Sequence, residues 1–400
     1  MLSQSVWEIK NLNINDESFY SIIIIKAYYK FLFRQIFMKN VLIYGEFNPR
    51  STTGIAYINS NLAYSLKNIG YEVKKIIDPR QKDYFKNEKI VKKNINLKEF
   101  IKLFFFLIIT KKYEISFITI SLGNLGLLKT FIIQFLLNIK SKRSYLYVHR
   151  GDLNKNYKSS FYKKTIISLI LANAYKIIFL SKKFKKENKI QEINNKILIL
   201  PNSLSKSDSD LSKRLFQKKI KKVDREIKKI KFLYSGNIQK SKGVYNIIKA
   251  FDEINKENSN YKLTLDIFGM KLEKINLEFD YINYKGKLDT NNRLEHMSKY
   301  DCLLFASQNE GLPMILIESL SIGLPFITTK VGAIEDLLIK NYPYICKPTI
   351  KSIKNNINQF CFDITKNKNL LKKIAIQNYK LFSDNFKYSI FEKNISENIL

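Results

Sequence analysis

The sequence is poor in the residues that build metal centres and disulfide frameworks. Its 400 residues include two histidines, three cysteines and one tryptophan. Cys302, Cys346 and Cys361 lack the close spacing of a zinc site, and two histidines exclude a His-rich metal centre. We therefore expect neither a disulfide framework nor a protein metal site, and a reducing compartment is the default.

The sequence also lacks an uninterrupted run of about 20 apolar residues, which a membrane-spanning helix needs. The closest stretch, residues 115–139, contains Lys129 and is divided at Gly123, so a buried strand followed by an amphipathic helix is expected. Residues 1–37 lack the basic start and small-residue cleavage site of a signal peptide, but they include the apolar and basic segment FYSIIIIKAYYKFLFRQIF. Either this extension forms an interfacial helix or the working chain starts at Met38.

Acidic residues are scarce relative to basic ones, and the imbalance is uneven along the chain. The chain has 69 Lys and Arg against 35 Asp and Glu, and eight of the 69 are Arg. Residues 101–250 carry 33 basic and 8 acidic side chains, whereas residues 251–350 carry 11 and 14. This asymmetry suggests a surface for an anionic partner, although a merely solvated basic face fits as well. Because nucleic acid readers use Arg for bidentate contacts, the excess of Lys favours an anionic membrane surface over nucleic acid.

The apolar content of 45% supports a sizeable core, and 400 residues fit about two domains. From Met38 onward, short apolar strands alternate with helical patterns, which predicts parallel α/β architecture. The predicted strands are Val41–Gly45, Glu72–Ile76, Ile115–Ile120, Tyr145–Val148, Ile177–Leu180, Ile197–Leu200, Phe232–Ser235, Leu263–Phe268, Tyr281–Tyr284, Cys302–Phe305 and Phe326–Thr328. Helices are predicted between them, for example at Gly54–Asn68 and Tyr157–Ala174. The predicted organisation is an extension (1–37), a first domain (38–204), a basic linker (205–230), a second domain (231–383) and a C-terminal helix returning to the first domain (384–400).

Ligand chemistry is expected where strands end and helices begin, because backbone N–H groups bind anions there. Gly54 opens a helix after one strand, which suits ligand approach or a plain capped loop. Gly236 and Asn237 follow another strand, and Lys242 stands near the next helix start. A glycine and a lysine in this order can hold a diphosphate, although a simple turn with a surface lysine fits as well.

The third junction carries two carboxylates that are eight residues apart. Glu310 precedes the apolar helix predicted at Ile315–Ile322, and Glu318 lies inside it. Burying an unpaired carboxylate is costly, so Glu318 needs hydroxyl donors such as those of a ribose, or else a partner within the core. The backbone N–H groups of Gly311 to Met314 suit phosphate or sugar oxygens.

The block from Glu310 to Leu338 resembles the E-x7-E signature of retaining GT-B glycosyltransferases, in the family 4 group that includes bacterial surface-polysaccharide enzymes. The resemblance extends over nearly the whole chain from Met38. It implies two Rossmann-like domains with parallel sheets that face each other across a cleft. The first domain would bind the acceptor, and the second would bind the nucleotide sugar.

The resemblance also implies roles for individual residues. Glu310 and His149 would act at the transferred sugar, and Glu318 would hold the ribose. Other donor contacts would come from Gly236, Asn237, Lys242, Gly311, Leu312, Pro313 and Met314. Gly54 and Arg150 would face the acceptor. The family usually has arginine where this chain has Asn237, so Lys242 would hold the diphosphate alone or with another cation such as Lys240.

The activity implied is retaining transfer from a nucleotide-diphosphate sugar to a glycan or lipid-linked acceptor. Cell-surface polysaccharide or lipopolysaccharide synthesis is the expected setting, with no cofactor and no metal requirement. The expected location is the cytoplasm, peripherally on the inner face of the cytoplasmic membrane. A GT-B nucleotide-sugar epimerase is one alternative, and a non-catalytic basic protein that binds nucleic acid or glycan is another.

Overall fold

The computed structural model describes residues 39–48, 53–78, 97–222, 229–257, 262–289 and 292–400. They form two α/β domains, each built on a sheet of six parallel strands. The expected interfacial helix in residues 1–37 and the expected start at Met38 lie outside the described residues. None of the helices in the described part is long and apolar enough to cross a membrane.

The first domain is organised around a sheet whose strand order is β2-β1-β3-β4-β5-β6. The strands are β1 (Asn40–Gly45), β2 (Glu72–Ile77), β3 (Tyr113–Thr119), β4 (Ser141–Val148), β5 (Lys176–Phe179) and β6 (Ile197–Ile199). The helices are α1 (Gly54–Asn68), α2 (Leu97–Ile109), α3 (Asn124–Lys140), α4 (Leu153–Tyr157), α5 (Phe161–Ala172) and α6 (Lys182–Lys186), with a 3-10 turn at Gln191–Lys196. The central strands are apolar runs with few polar interruptions because helices cover both faces of the sheet.

The second domain repeats this plan with the strand order β12-β11-β10-β7-β8-β9. Its strands are β7 (Ile230–Ser235), β8 (Leu263–Phe268), β9 (Ile282–Tyr284), β10 (Cys302–Phe305), β11 (Phe326–Thr329) and β12 (Ile345–Cys346). The helices are α7 (Lys206–Lys222), α8 (Val244–Lys256), α9 (Arg293–Met297), α10 (Met314–Ser321), α11 (Ile350–Lys366), α12 (Lys368–Asn385) and α13 (Tyr388–Asn398), with 3-10 turns at Lys240–Lys242 and Ile334–Leu337. The order of strands reverses between β7 and β10, and ligands bind at such switch points in open α/β sheets.

Within the two domains, two parts of the chain differ from the elements predicted from sequence. The helix predicted at Tyr157–Ala174 is broken, because the Ser160 hydroxyl accepts from the backbone N–H of Lys163 and starts α5 at Phe161. Strand β12 was not predicted, since two residues carry too little periodicity to read. The predicted strands all form. Their observed ends lie within about four residues of the predicted ends, which is the usual uncertainty of element boundaries.

The connections between the domains are helical. Most of the stretch expected to be a basic linker forms α7, which packs against α9, α10 and α12 of the second domain. After α12 the chain crosses back, and α13 packs on α1. The Ser65 hydroxyl donates to the Tyr388 hydroxyl at 2.8 Å, and the Tyr145 hydroxyl donates to the Ile399 carbonyl at 2.7 Å. The C-terminal segment thus contacts both the helix layer and the sheet of the first domain.

Candidate active site

A cleft of about 680 Å³ separates the two domains, and the ends of strands from both sheets line it. On the second domain, its wall is built from the loops that follow β7 and β10. These two strands flank the switch point of the sheet, where the loops diverge and leave a crevice. The sheet topology therefore sets the position of the cleft.

The loop after β7 is held close to the loop after β10. Gly243, at the start of α8, has φ +75°, and a Cβ there would lie 2.0 Å from the Ala306 carbonyl oxygen. The backbone N–H of Gln308 donates to the Ser241 carbonyl at 2.9 Å. Because Gly243 admits this close approach, the 3-10 turn that carries Lys242 lies directly beside the loop that carries Glu310.

Lys242 and Glu310 form an ion pair across the switch point. The Lys242 Nζ lies 2.6 Å from Glu310 Oε1, and both side chains line the cleft. Glu310 leads into α10, and the N–H groups of the first turn of a helix have no partner within that helix. The wall thus presents a cation from the loop after β7 beside a carboxylate and backbone donors from the loop after β10.

His149 faces this wall from the carboxyl end of β4. Its ring stacks on the Tyr147 ring, with centroids 4.0 Å apart, and its Nε2 is buried with no hydrogen-bond partner among the described residues. Burial lowers the pKa of His149 to about 3, so the imidazole is neutral at neutral pH. A neutral, unpartnered ring nitrogen at a cleft can accept from or donate to a ligand hydroxyl.

The two domains touch along the loops that carry His149 and Glu310. A Cβ on Gly311 would lie 2.2 Å from the His149 carbonyl oxygen, and one on Gly151 would lie 2.6 Å from the Glu310 carbonyl oxygen. The Asn202 amide donates to the Leu312 carbonyl at 2.7 Å. These contacts bring the catalytic candidates of the two domains to one end of the cleft.

The first-domain side of the cleft carries a second ion pair. The Arg150 Nε lies 2.8 Å from Asp152 Oδ1, and its second nitrogen contacts the other carboxylate oxygen at 2.5 Å. Gly54 opens α1 behind the capping residue Thr53, and the Met314 side chain would be 3.4 Å from a Cβ at Gly54. Each cationic side chain of the cleft is therefore matched by a carboxylate.

Glu318 occupies a different environment from Glu310. Its side chain is 2% exposed within α10, it does not line the cleft, and its Oε1 lies 2.9 Å from a guanidinium nitrogen of Arg293. Burial raises the pKa of Glu318, while Arg293 opposes that rise. Arg293 thus offsets part of the cost of burying this carboxylate.

Arg293 was not identified from sequence, and it connects Glu318 to the first domain. Its guanidinium lies 5.2 Å from the centroid of the Tyr57 ring and 4.0 Å from Asp208. The Tyr57 hydroxyl donates to Asp208 at 2.5 Å and accepts from the backbone N–H of Ser205 at 2.6 Å. Arginine suits this position because its planar group can stack on a ring and pair with two carboxylates.

Comparison with known proteins shows which sequences this chain is similar to. Residues 216–378 match the family model described as glycosyl transferases group 1. The uncharacterized glycosyltransferase MJ1059 of Methanocaldococcus jannaschii is 26% identical over 246 residues, which is 56% of this chain and 60% of that relative. The match therefore covers less than two thirds of the relative's own length.

Solved structures share the fold of this chain over most of its length. Sucrose-phosphate synthase from Thermosynechococcus elongatus superposes with a TM-score of 0.66 at 13% identity, covering 90% of this chain and 98% of that one. Anabaena HepE in complex with UDP and glucose superposes with a TM-score of 0.60 at 14% identity, covering 90% and 99%. The fold is GT-B.

Within this GT-B fold, eleven of the twelve predicted site residues line the interdomain cleft, and Glu318 does not. The eleven are Gly54, His149, Arg150, Gly236, Asn237, Lys242, Glu310, Gly311, Leu312, Pro313 and Met314. Asn237 accepts a hydrogen bond at its backbone carbonyl from the Tyr234 hydroxyl, at 2.9 Å. Lys240 is not among the residues that line the cleft, so it does not stand beside Lys242 there. No cluster of three or more metal-ligating side chains occurs in the described part of the GT-B chain.

Proposed function

We propose that this protein is a retaining glycosyltransferase that moves a sugar from a nucleotide diphosphate to a glycan or lipid-linked acceptor. The observation that carries the proposal is the Lys242–Glu310 pair, which lies at the switch point of the second sheet and faces the first-domain strand end that carries His149. The group 1 match and the GT-B fold support the same activity.

Lys242 is the candidate ligand for the donor diphosphate. It lies immediately before Gly243 and the N-terminus of α8, where the helix dipole favours an anion. Glu310 balances the charge of Lys242, and a diphosphate would compete for the same ammonium group. This chain has Asn237 where the family usually has arginine. Among the described residues of the second domain that line the cleft, Lys242 is therefore the one cationic side chain.

Glu310 and His149 are the candidate catalytic residues. In the transfer, the bond between the anomeric carbon and the diphosphate oxygen breaks, and the nucleoside diphosphate leaves with the bonding electrons. The acceptor hydroxyl forms the new glycosidic bond on the same face and passes its proton to the departing diphosphate oxygen. Lys242 and the amides at the start of α10 would stabilise the departing charge, which is the work that a divalent ion does in other enzymes. His149, neutral because of its low pKa, would bind a sugar hydroxyl.

Glu318 remains the proposed ribose ligand. A carboxylate accepts at both oxygens, so the contact from Arg293 at Oε1 does not by itself use up its acceptor capacity. Because Glu318 does not line the cleft, ribose binding there requires α10 and the nucleotide to come closer together than the cleft lining places them.

The acceptor side is proposed to be the first domain, with Gly54 and Arg150 facing an incoming glycan. The excess of lysine in the first domain and α7 suits an acceptor at an anionic membrane surface, and we propose a peripheral location on the cytoplasmic face. Surface polysaccharide or lipopolysaccharide synthesis is the setting that combines these features.

The test is thermal stabilisation of the purified chain against a panel of nucleoside diphosphates, with the matching monophosphates as controls. A ligand that binds the folded state raises the melting temperature according to its affinity. We expect at least one diphosphate to stabilise the protein well beyond its monophosphate, because Lys242 and α8 recognise the terminal phosphate. Equal responses to every mono- and diphosphate would contradict the proposal.

Two further measurements separate the alternatives. A nucleotide-sugar epimerase would convert the sugar nucleotide to its epimer without an acceptor, whereas a transferase needs an acceptor to form product. A nucleic acid-binding protein would show a steep salt-dependent affinity for DNA or RNA and no preference among diphosphates.

A further inference from the structure

An apolar surface on the first domain has no role in the cleft. Nineteen large hydrophobic side chains are exposed in the described part of the chain, and thirteen of them belong to α2, α3 and α5. These thirteen are Ile101, Phe104, Phe105, Phe106, Ile108, Ile109, Leu125, Leu128, Phe135, Ile139, Phe161, Tyr162 and Leu169. Scattered exposed apolar residues are normal, but a contiguous group marks an interaction site.

The three helices form one continuous layer on one face of the first sheet. Helix α3 packs against α2 on one side and α5 on the other. The Lys140 ammonium donates to the Thr110 carbonyl at 3.1 Å, and the Tyr162 hydroxyl donates to the Asn124 carbonyl at 3.3 Å. Right-handed crossovers put α1 on the opposite face, because β1 and β2 are connected in the reverse direction along the sheet. We call the exposed side of α2, α3 and α5 the three-helix face.

The charge around the three-helix face has one sign. Residues 101–172 contain twelve Lys and Arg and two acidic residues, Glu114 and Asp152. Both carboxylates are paired with arginines, Glu114 with Arg143 at 3.5 Å and Asp152 with Arg150. Exposed lysines in this stretch include Lys112, Lys142, Lys155, Lys158 and Lys164. An apolar surface bordered by exposed lysines complements a surface that is apolar inside and anionic outside.

We propose that the three-helix face docks on an anionic lipid bilayer, with its aromatic and aliphatic side chains entering the interfacial region and its lysines meeting the head groups. Aromatic and aliphatic side chains with lysine neighbours are the composition of membrane-surface helices. The inference deepens the proposed peripheral location and rests on it, by naming the surface and adding apolar insertion to charge attraction.

The position of the face explains how a lipid-linked acceptor reaches the cleft. Helices α3 and α5 begin at the carboxyl edge of the sheet, the same edge at which β4 delivers His149. Their first turns expose Leu125 at 65% and Phe161 at 84%. The apolar surface thus extends from the flank of the domain to the cleft side, so a lipid-anchored glycan would remain at the bilayer while its sugar end enters.

The test uses the full-length chain and two matched double substitutions. Phe105→Ser with Ile109→Ser alters the three-helix face, and Phe362→Ser with Ile376→Ser alters exposed residues of the same types on the second domain. Sedimentation is measured with phosphatidylcholine vesicles and with vesicles that also contain phosphatidylglycerol. Lys112→Gln, Lys142→Gln and Lys164→Gln together test the charge contribution.

We expect the Phe105/Ile109 variant to lose binding to anionic vesicles by on the order of tenfold to a hundredfold, since each side chain would bury apolar area in the interface. The Phe362/Ile376 variant should bind as the unmodified chain does, and the lysine variant should bind less and respond less to salt. Failure of the unmodified chain to sediment with anionic vesicles, or equal binding by both double variants, would overturn the proposal. So would a lipid-free dimer that the Phe105/Ile109 variant loses, because a second copy would then be the occupant.

Stabilisation by nucleoside diphosphate is measured on every variant without lipid. The three-helix face does not line the cleft, so all variants should keep this response and thereby show that they are folded. Loss of vesicle binding with retained nucleotide response supports the docking surface. Retained vesicle binding in a chain that recognises no nucleotide would leave the surface standing and contradict the transferase proposal instead.

Discussion

Replacing Arg293 with methionine should destabilise the protein strongly, because it leaves Glu318 buried without its partner. Methionine keeps the apolar stem of the side chain and removes the guanidinium that lies 2.9 Å from the carboxylate. Glu318 is 2% exposed and Arg293 is 17% exposed, so little of the carboxylate is accessible to solvent. Breaking a buried pair by removing one partner costs about 3–5 kcal/mol.

The partner substitution gives a double-mutant cycle. Glu318→Gln removes the charge that Arg293 neutralises, yet Arg293 keeps the Tyr57 ring and Asp208 as neighbours. We therefore expect Glu318→Gln to cost less than Arg293→Met, and the double variant to lose less than the sum of both. A coupling free energy of about 1–3 kcal/mol is the range for contacting residues. Urea unfolding of the ligand-free chain measures all three variants.

The pH dependence of the stability defect in Arg293→Met tests whether the charge of Glu318 causes that defect. Burial raises the pKa of Glu318 above its ordinary value of 4.5, and removing Arg293 should raise it further. When a carboxyl has a higher pKa in the folded protein than in the unfolded chain, it contributes stability at pH values below its pKa in the unfolded chain. That stability is lost as the pH rises through its pKa in the folded protein. The Arg293→Met defect should therefore shrink as the pH is lowered toward about 5 and grow toward about 8. An additive cycle, or a defect of equal size at both pH values, would refute this reasoning.

The remaining predictions concern the cleft. Lys242→Met should weaken nucleoside diphosphate binding by about 1.5–3 kcal/mol, the range for a charged hydrogen bond, whereas Lys240→Met should not, as calorimetry would show; equal effects would remove Lys242 from the site. Burial holds the pKa of His149 near 3 against an ordinary 6.5, so the protein should lose stability as pH falls from about 6.5 toward 3, and His149→Phe should lack that component. An unchanged acid profile in His149→Phe would place the titration elsewhere. Sugar transfer should persist in excess EDTA, because Lys242 and helix N-termini are proposed to stabilise the leaving group; loss with EDTA and recovery with magnesium or manganese would contradict this.

Local sequence patterns predicted those parts of the site in which a strand, a loop and a helix follow one another directly along the chain. The stretch from Glu310 to Met314 is a strand–loop–helix unit, and its place at the end of β10 follows from the alternation of strands and helices. Gly236 and Lys242 follow β7 in the same way. Because parallel strands end at one edge of a sheet, separate local predictions converged on one cleft.

The partners of the charged groups were not predictable in this way. Arg293 precedes Glu318 by 25 residues, and Tyr57 and Asp208 belong to the distant α1 and α7. The sequence showed that a carboxylate inside an apolar helix needs a partner, but not whether the partner is a ligand or a side chain. The pairing of Lys242 with Glu310 likewise depends on how closely the two loops pack at Gly243. Helix α7 was not predicted, because its high lysine content resembles that of a linker.

The most direct test of the glycosyltransferase account is Glu310→Gln, with Glu397→Gln at an exposed position of the C-terminal helix α13 as the control. Turnover of the nucleotide sugar that the stabilisation panel identifies is measured together with binding of its nucleoside diphosphate. We expect Glu310→Gln to bind the diphosphate at least as well as the unmodified chain, since Lys242 loses its competing carboxylate, while turnover falls by on the order of a hundredfold or more. Turnover equal to that of the Glu397→Gln control would contradict the assignment of this cleft as the active site.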